Sequence, residues 1–250
     1  MLPNLPRPII FAHRGASAHA PENTLASFEL ALVQGADAIE LDAKLSSDGQ
    51  IVVFHDATLE RTTNGTGPVS KKSLAELRTL DAGSHFSEAC RGAKIPLLEE
   101  VFEAVGKRAF LNVELKNYTT PGDQLVERVC ELVKRYGFED RVVFSSLNAA
   151  NLKKAMKLLP TVPRALIAAP SWLGAWARSF GFTFGDYVAL HPYLMDVDLS
   201  EVQRVHKLKR RIHVWTVNRV EDIKRFTEWG VDGIFTDDPQ LALQAIGRRV

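Results

Sequence analysis

The chain has 250 residues, the length of one (β/α) barrel or one large α/β domain, and its 46% hydrophobic and 24% charged residues suit a globular protein with a sizeable core. Lysine and arginine number 31 against 30 acidic residues, a net charge of +1 that argues for neither a nucleic-acid nor a membrane partner. Cys90 and Cys130 stand in no metal-binding spacing and read as reduced thiols, with a disulfide between them left open; no apolar run suits a signal peptide or a membrane span of about 20 residues. The expectation is a cytoplasmic protein without stable membrane insertion.

Pro3, Pro6 and Pro8 form an extended lead-in to Ile9–Ala12, an apolar run that reads as a buried parallel strand. It ends on His13-Arg14-Gly15, where α/β folds place their sites. Pro21-Glu22-Asn23-Thr24 opens a helix with Leu25, Phe28 and Leu32 on one face, Asn23 as a candidate cap and Gly35 after its end. In the next strand, Asp37 to Asp42, alternation puts Glu40 and Asp42 on one face and Ile39, Leu41 and Ala43 on the other. If Ser46-Ser47-Asp48-Gly49 closes a β-hairpin, residues whose numbers sum to about 97 face each other, and His55 lands opposite Asp42.

Between Ala57 and Ile95 there is no strand pattern, only a turn-rich loop over 62–68 and a short amphipathic helix from Ser73 to Leu80, which reads as an insertion over a site. A helix from Pro96 to Gly106 then precedes the strand Phe110 to Lys116, where Asn112, Glu114 and Lys116 share a face. Helices follow at 124–136, 149–159, 172–180, 200–208 and 221–229, alternating with strands at 142–145, 164–168, 187–191, 212–217 and 233–237. Eight strand-helix units predict a closed parallel TIM (β/α)8 barrel, one domain over 1–250, with residues 57–95 inserted between strand 2 and helix 2 over the mouth. An echo between 35–42 and 230–237, sharing Gly, Asp, Ile and Asp at the same spacing, marks the same βα architecture.

In such a barrel the strands' carboxyl ends converge, which brings His13, Arg14, Glu40, Asp42, His55, Glu114 and Lys116 to one mouth. Three carboxylates with no cysteine suit one hard divalent cation, Mg²⁺ or Ca²⁺. Arg14 and Lys116 suit a phosphate, and two imidazoles, titrating near ~6.5 when unperturbed, suit proton exchange. The set is equipped to break a phosphodiester. His191, at the end of a strand, is a further candidate for the mouth, and Asp56 is left as a capping or orienting group. Trp172, Trp176 and Phe180 recur every four residues, the pattern of one helix face packed on a core, with presentation of aromatic surface to a lipid tail as the alternative. Lys207, Lys209, Arg210 and Arg211 read as a solvated helix end.

The ordered set HRG at 13–15, PENT at 21–24, ELD at 40–42, FHD at 54–56 and NVELK at 112–116, with VWTVN at 214–218 and FTDDP at 235–239, resembles the glycerophosphodiester phosphodiesterases over nearly the whole chain. The resemblance implies a catalytic barrel with an insertion after its second strand. It also implies Glu40, Asp42 and Glu114 as metal ligands, His13 and His55 as an acid/base pair, and Arg14 and Lys116 on phosphate. Trp215, which its apolar strand alone would place in the core, becomes a candidate wall of the substrate pocket. The implied reaction is metal-dependent hydrolysis of a small-molecule glycerophosphodiester to glycerol 3-phosphate and an alcohol. The attacking group is water or the substrate's adjacent hydroxyl, the latter passing through a cyclic phosphate. The alternative is a lysophospholipase D, kept open by the aromatics at 172–184. A barrel that binds phosphate esters without turnover is disfavoured, because every expected acid, base and ligand is present.

Overall fold

Apolar runs with inward-facing polar residues at their carboxyl ends form the wall of a barrel in the computed structural model, which describes residues 5–248 and so leaves Pro3 outside the described residues. The strands are β1 (Ile9–His13), β2 (Ala38–Leu45), β3 (Ile51–Val53), β4 (Phe110–Leu115), β5 (Val142–Ser146), β6 (Arg164–Ala168), β7 (Ala189–Pro192), β8 (Arg211–Val214) and β9 (Gly233–Thr236). All but β3 are parallel, and pairing of β1 with both β9 and β2 closes them into an eight-stranded ring, as the strand count predicts. The helices are α1 (Leu25–Val33), α2 (Leu74–Thr79), α3 (Leu98–Ala104), α4 (Leu125–Tyr136), α5 (Ala149–Leu158), α6 (Phe182–Phe184), α7 (Leu199–Lys207), α8 (Val220–Glu228) and α9 (Pro239–Ala245). None is long and apolar enough to cross a membrane.

Period-two alternation separates two cores. Ile10, Ala12, Ile39, Leu41, Leu111 and Val113 face outward and pack under the helices. Ile9, Phe11, Ala38, Phe110, Val143, Ala165, Ala189 and Phe235 face inward and plug the barrel below its mouth. The echoed motif has one physical role in both copies: Asp37 accepts the Ile10 amide at 2.8 Å and Asp232 the Ile212 amide at 3.0 Å, tying each strand's start to its neighbour.

Two expectations are corrected. In the β2–β3 hairpin Ala43 pairs with Val53, Lys44 with Val52 and Leu45 with Ile51, one residue off the expected register. The loop holds three residues, with Ser46 and Gln50 closing it at 3.0 Å and Gly49 at φ +76°, the geometry of a turn ending in a left-handed residue. Asp42 therefore faces Phe54, whose amide donates to its carbonyl at 2.9 Å, and His55 lies one residue beyond. Trp172, Trp176 and Phe180 are not core: they are 80%, 58% and 68% exposed. Their segment is no single α-helix but a 3-10 turn, a π-type turn and α6 in succession. Its inward positions go to Gly174, Gly181 and fully buried Phe182, while Arg178 is pinned to the carbonyls of Ala169 and Ser171 and to Asp196 at 2.9 Å.

Residues 57–95 hold only α2 and two 3-10 turns. They have a core of their own, in which Leu59, Val69, Leu77, Ala82 and Ile95 pack on Val52 and Phe54. The β3 strand splits its faces accordingly, with Val53 joining the barrel's outer core and Val52 this smaller one.

Candidate active site

Each strand's inward series ends in a side chain at the barrel mouth: Asp42 on β2, Glu114 on β4, and His13 at the close of β1. They converge at a cavity of about 210 Å³ lined by the polar side chains of His13, Arg14, Glu40, His55, Glu114 and Lys116 and by the apolar ones of Ile167, Trp215 and Phe235. His191 also lines it. Trp215 is fixed by donating from Nε1 to the His191 carbonyl at 2.8 Å and by edge contact with Tyr193.

Oxygen atoms of Glu40, Asp42 and Glu114 lie within 4.8 Å of one another, and all three residues are buried. Burial and repulsion by Asp42 and Glu114 push the Glu40 carboxyl well above the usual carboxylate range. Burial works the same way on Asp42, yet Lys116, His55 and Arg14 overcome it and hold that carboxyl below its ordinary value. Asp42 Oδ1 is buried without a hydrogen bond and meets the Lys116 ammonium at 3.3 Å. An oxygen-only cluster of three buried carboxylates that repel one another, with one buried carboxylate oxygen lacking a hydrogen bond, fits a divalent cation.

The cations are held as firmly. Arg14 sits at φ +58°, which aims its amide at Glu40 Oε2, 3.0 Å away, while its guanidinium bonds Glu22 at 2.9 Å and lies 3.6 Å from Asp42. Burial disfavours charge on Lys116, but Asp42 and Glu114 raise its pKa above the ordinary lysine value.

Both mouth histidines are tethered through Nδ1. His13 Nδ1 meets Asp237 Oδ1 at 2.7 Å, and that carboxylate is braced by Ser17 at 3.0 Å and Asn218 at 2.6 Å. His55 Nδ1 meets Asp56 Oδ1 at 2.5 Å. A carboxylate at Nδ1 fixes the tautomer with its proton there and leaves Nε2 as the nitrogen free to exchange one. Burial opposes ionisation of Asp237, but the His13 contact outweighs it and sets this carboxyl at about 2. Asp56 is likewise held at about 2 against its burial by Arg61 and His55. Burial lowers the His55 pKa, with the Asp42 charge opposing.

Residues 13–241 match the model of the glycerophosphoryl diester phosphodiesterase family. The chain belongs to that family. A glycerophosphodiester phosphodiesterase of Caldanaerobacter subterraneus is 38% identical over 95% of this chain and 97% of its own. The structure of an Oleispira antarctica phosphodiesterase in complex with the product sn-glycerol-3-phosphate superposes with a TM-score of 0.88 at 34% identity, covering 97% of both chains. A putative glycerophosphoryl diester phosphodiesterase from Silicibacter pomeroyi gives 0.87 at 28% identity, over 98% of this chain and 95% of that one.

As a glycerophosphodiester phosphodiesterase, this barrel gathers every site residue expected from sequence into one mouth, with Asp42 seated among the carboxylates beneath the cavity lining. Several others escaped the sequence reading. Asn23 is no helix cap, since Thr24 caps α1; its Nδ2 donates to Asp42 Oδ2 at 2.8 Å. Tyr118 donates to Glu114 at 2.7 Å. Asp237 sits in the quoted FTDDP run, so a signal was present, but nothing local in that run points to His13, 224 residues away.

Proposed function

We propose that the enzyme cleaves glycerophosphodiesters to glycerol 3-phosphate and an alcohol by proton transfer through His13 and His55. The observation that carries this is the pair of tethered imidazoles facing one cavity together with Arg14, Lys116 and the carboxylate cluster. Glu40, Asp42 and Glu114 would hold one divalent ion, Mg²⁺ or Ca²⁺, which when bound polarises a phosphoryl oxygen and offsets its charge. Arg14 and Lys116 bind the phosphate and orient it. One imidazole takes the proton of the nucleophile, water or the adjacent glycerol hydroxyl, and the other returns a proton to the departing alcohol. Trp215 forms the apolar wall against which the glycerol moiety rests. Residues 57–95 of this single catalytic domain serve as a cover for the mouth, a role supported by Arg61, which reaches Glu22 and Asp56 at its rim. The free thiols Cys90 and Cys130 fit a reducing, cytoplasmic setting.

A second reading, lysophospholipase D activity, is favoured by Trp172, Leu173, Trp176, Phe180 and Phe184, all exposed. They follow directly on the carboxyl end of β6, whose Ile167 lines the cavity, and so offer apolar surface at the end of the barrel that carries the mouth. The deciding assay couples glycerol 3-phosphate release to a panel of head groups and compares glycerophosphocholine with lysophosphatidylcholine by choline release. The expected outcome is turnover abolished by chelator and restored by Mg²⁺ or Ca²⁺, and lowered about a hundredfold or more in His13→Ala and in His55→Ala. Near-normal turnover in either variant removes that histidine from the mechanism, and undiminished turnover after complete metal removal refutes the carboxylate assignment.

A further inference from the structure

Arg61 belongs to the inserted segment and is 47% exposed at its side chain, a position where an ion pair usually contributes little. Each of its three guanidinium nitrogens nevertheless donates to a carboxylate. Nη1 and Nη2 donate to the two oxygens of Glu22 at 2.7 and 2.8 Å, and Nε donates to Asp56 Oδ2 at 2.5 Å. Asp56 turns its other oxygen to His55, and Glu22 turns Oε1 to Arg14 as well, at 2.9 Å. The result is an unbroken chain, His55–Asp56–Arg61–Glu22–Arg14, that spans the mouth from one proposed proton-transfer group to one proposed phosphate-binding group.

We infer that Arg61 is a positioning residue for catalysis: its fork sets the distance between the loop carrying His55 and the loop carrying Arg14, and holds Asp56 in the orientation that fixes the His55 tautomer. This rests on the role proposed for His55. The fork geometry is what matters, because a planar guanidinium can satisfy Glu22 and Asp56 at once, whereas the point charge of a lysine cannot reproduce both contacts. Without Arg61, Asp56 has lost one of its two partners and can swing from the imidazole, while Glu22 can close entirely on Arg14.

The test measures kcat and KM with glycerophosphocholine for Arg61→Ala, Arg61→Lys, Asp56→Asn, the Asp56→Asn/Arg61→Ala double variant and His55→Ala. Arg61→Ala should lose about ten- to a hundredfold in kcat, with a smaller change in KM, and Arg61→Lys should fall between it and the unaltered enzyme. In the Asp56→Asn background the further loss on removing Arg61 should stay within about threefold, since both substitutions break one chain. Effects that multiply, or an Arg61→Lys enzyme with full kcat, overturn the inference; the lysine variant decides alone if Arg61→Ala does not fold. His55→Ala separates the two levels: near-normal turnover there refutes the acid/base reading itself, whereas its collapse beside an unaffected Arg61→Ala refutes only the positioning role.

Discussion

At Asn23 the backbone turns left-handed, φ +57°, and this swings a buried amide from the start of α1 onto Asp42. The Asp42 amide donates back to Asn23 Oδ1 at 3.4 Å, so side chain and backbone of the carboxylate are oriented by one residue. Groups that orient a metal-binding carboxylate typically govern affinity by about 10–100-fold. Asn23→Gly removes the amide without straining a positive φ, and the concentration of the activating divalent ion giving half-maximal turnover should rise by at least about tenfold. An unchanged metal requirement would show that Asp42 needs no such support. The proposed acids, bases and ligands were legible because each terminates a strand pattern or sits in a recognisable motif. Their supports were not: Asn23–Asp42, Asp237–His13 and Arg61–Glu22 join segments that only the closed barrel brings together.

Among the elements, the β2–β3 hairpin shows where pattern reading stops. Composition announces a turn at Ser46–Gly49, but whether two, three or four residues form its loop decides which residues face each other, and several loop lengths are compatible with Ser-Asp-Gly. The observed turn depends on Gly49 at φ +76°, where an added Cβ would also approach the Arg128 guanidinium to 3.0 Å. Gly49→Ala should cost about 1–2 kcal/mol of stability, read as a lower urea midpoint with unchanged slope. A midpoint equal to that of the unaltered protein would mean the hairpin adopts another turn at no cost. The 171–184 segment misleads for a different reason. A four-residue aromatic spacing describes a shared face but not which face is buried, and here Arg178 and the two glycines occupy the inner one.

For the whole molecule, strand and helix alternation made the barrel readable well before any side-chain contact, since eight buried parallel strands admit few closures. What alternation left out is the charge state of the interior. His191 and His213 are fully buried and share a hydrogen bond of 3.0 Å between their rings. Burial lowers the His191 pKa to about 3, and burial with its neighbour lowers that of His213 well below the usual value. Unfolded imidazoles titrate near ~6.5, so below that pH the unfolded chain binds protons that the native barrel refuses, and stability falls with acidification. Each imidazole contributes up to about 1.4 kcal/mol per pH unit between its folded and unfolded pKa. Glu40, with a raised folded pKa, works in the opposite direction above the unfolded glutamate value but is one group against His191, His213 and the likewise lowered His55. Urea unfolding in chelator should therefore show stability dropping by about 1–2 kcal/mol per unit from pH 6 to pH 5. A flat profile would mean these histidines are charged in the native state.

Val52, Phe54, Leu59, Val69, Leu77, Ala82 and Ile95 form a core separate from that of the barrel, which predicts that the inserted segment opens as a unit of its own. Opening the smaller one exposes a handful of side chains and leaves the ring of strands intact, so its free energy lies below that of global melting. Arg61 is carried by that smaller unit and Asp56 adjoins it. If Arg61 positions His55 as inferred, local opening of this segment should lower turnover on warming before the barrel melts, reversibly and with early amide exchange in residues 57–95; exchange there no earlier than in the barrel strands would rule this out.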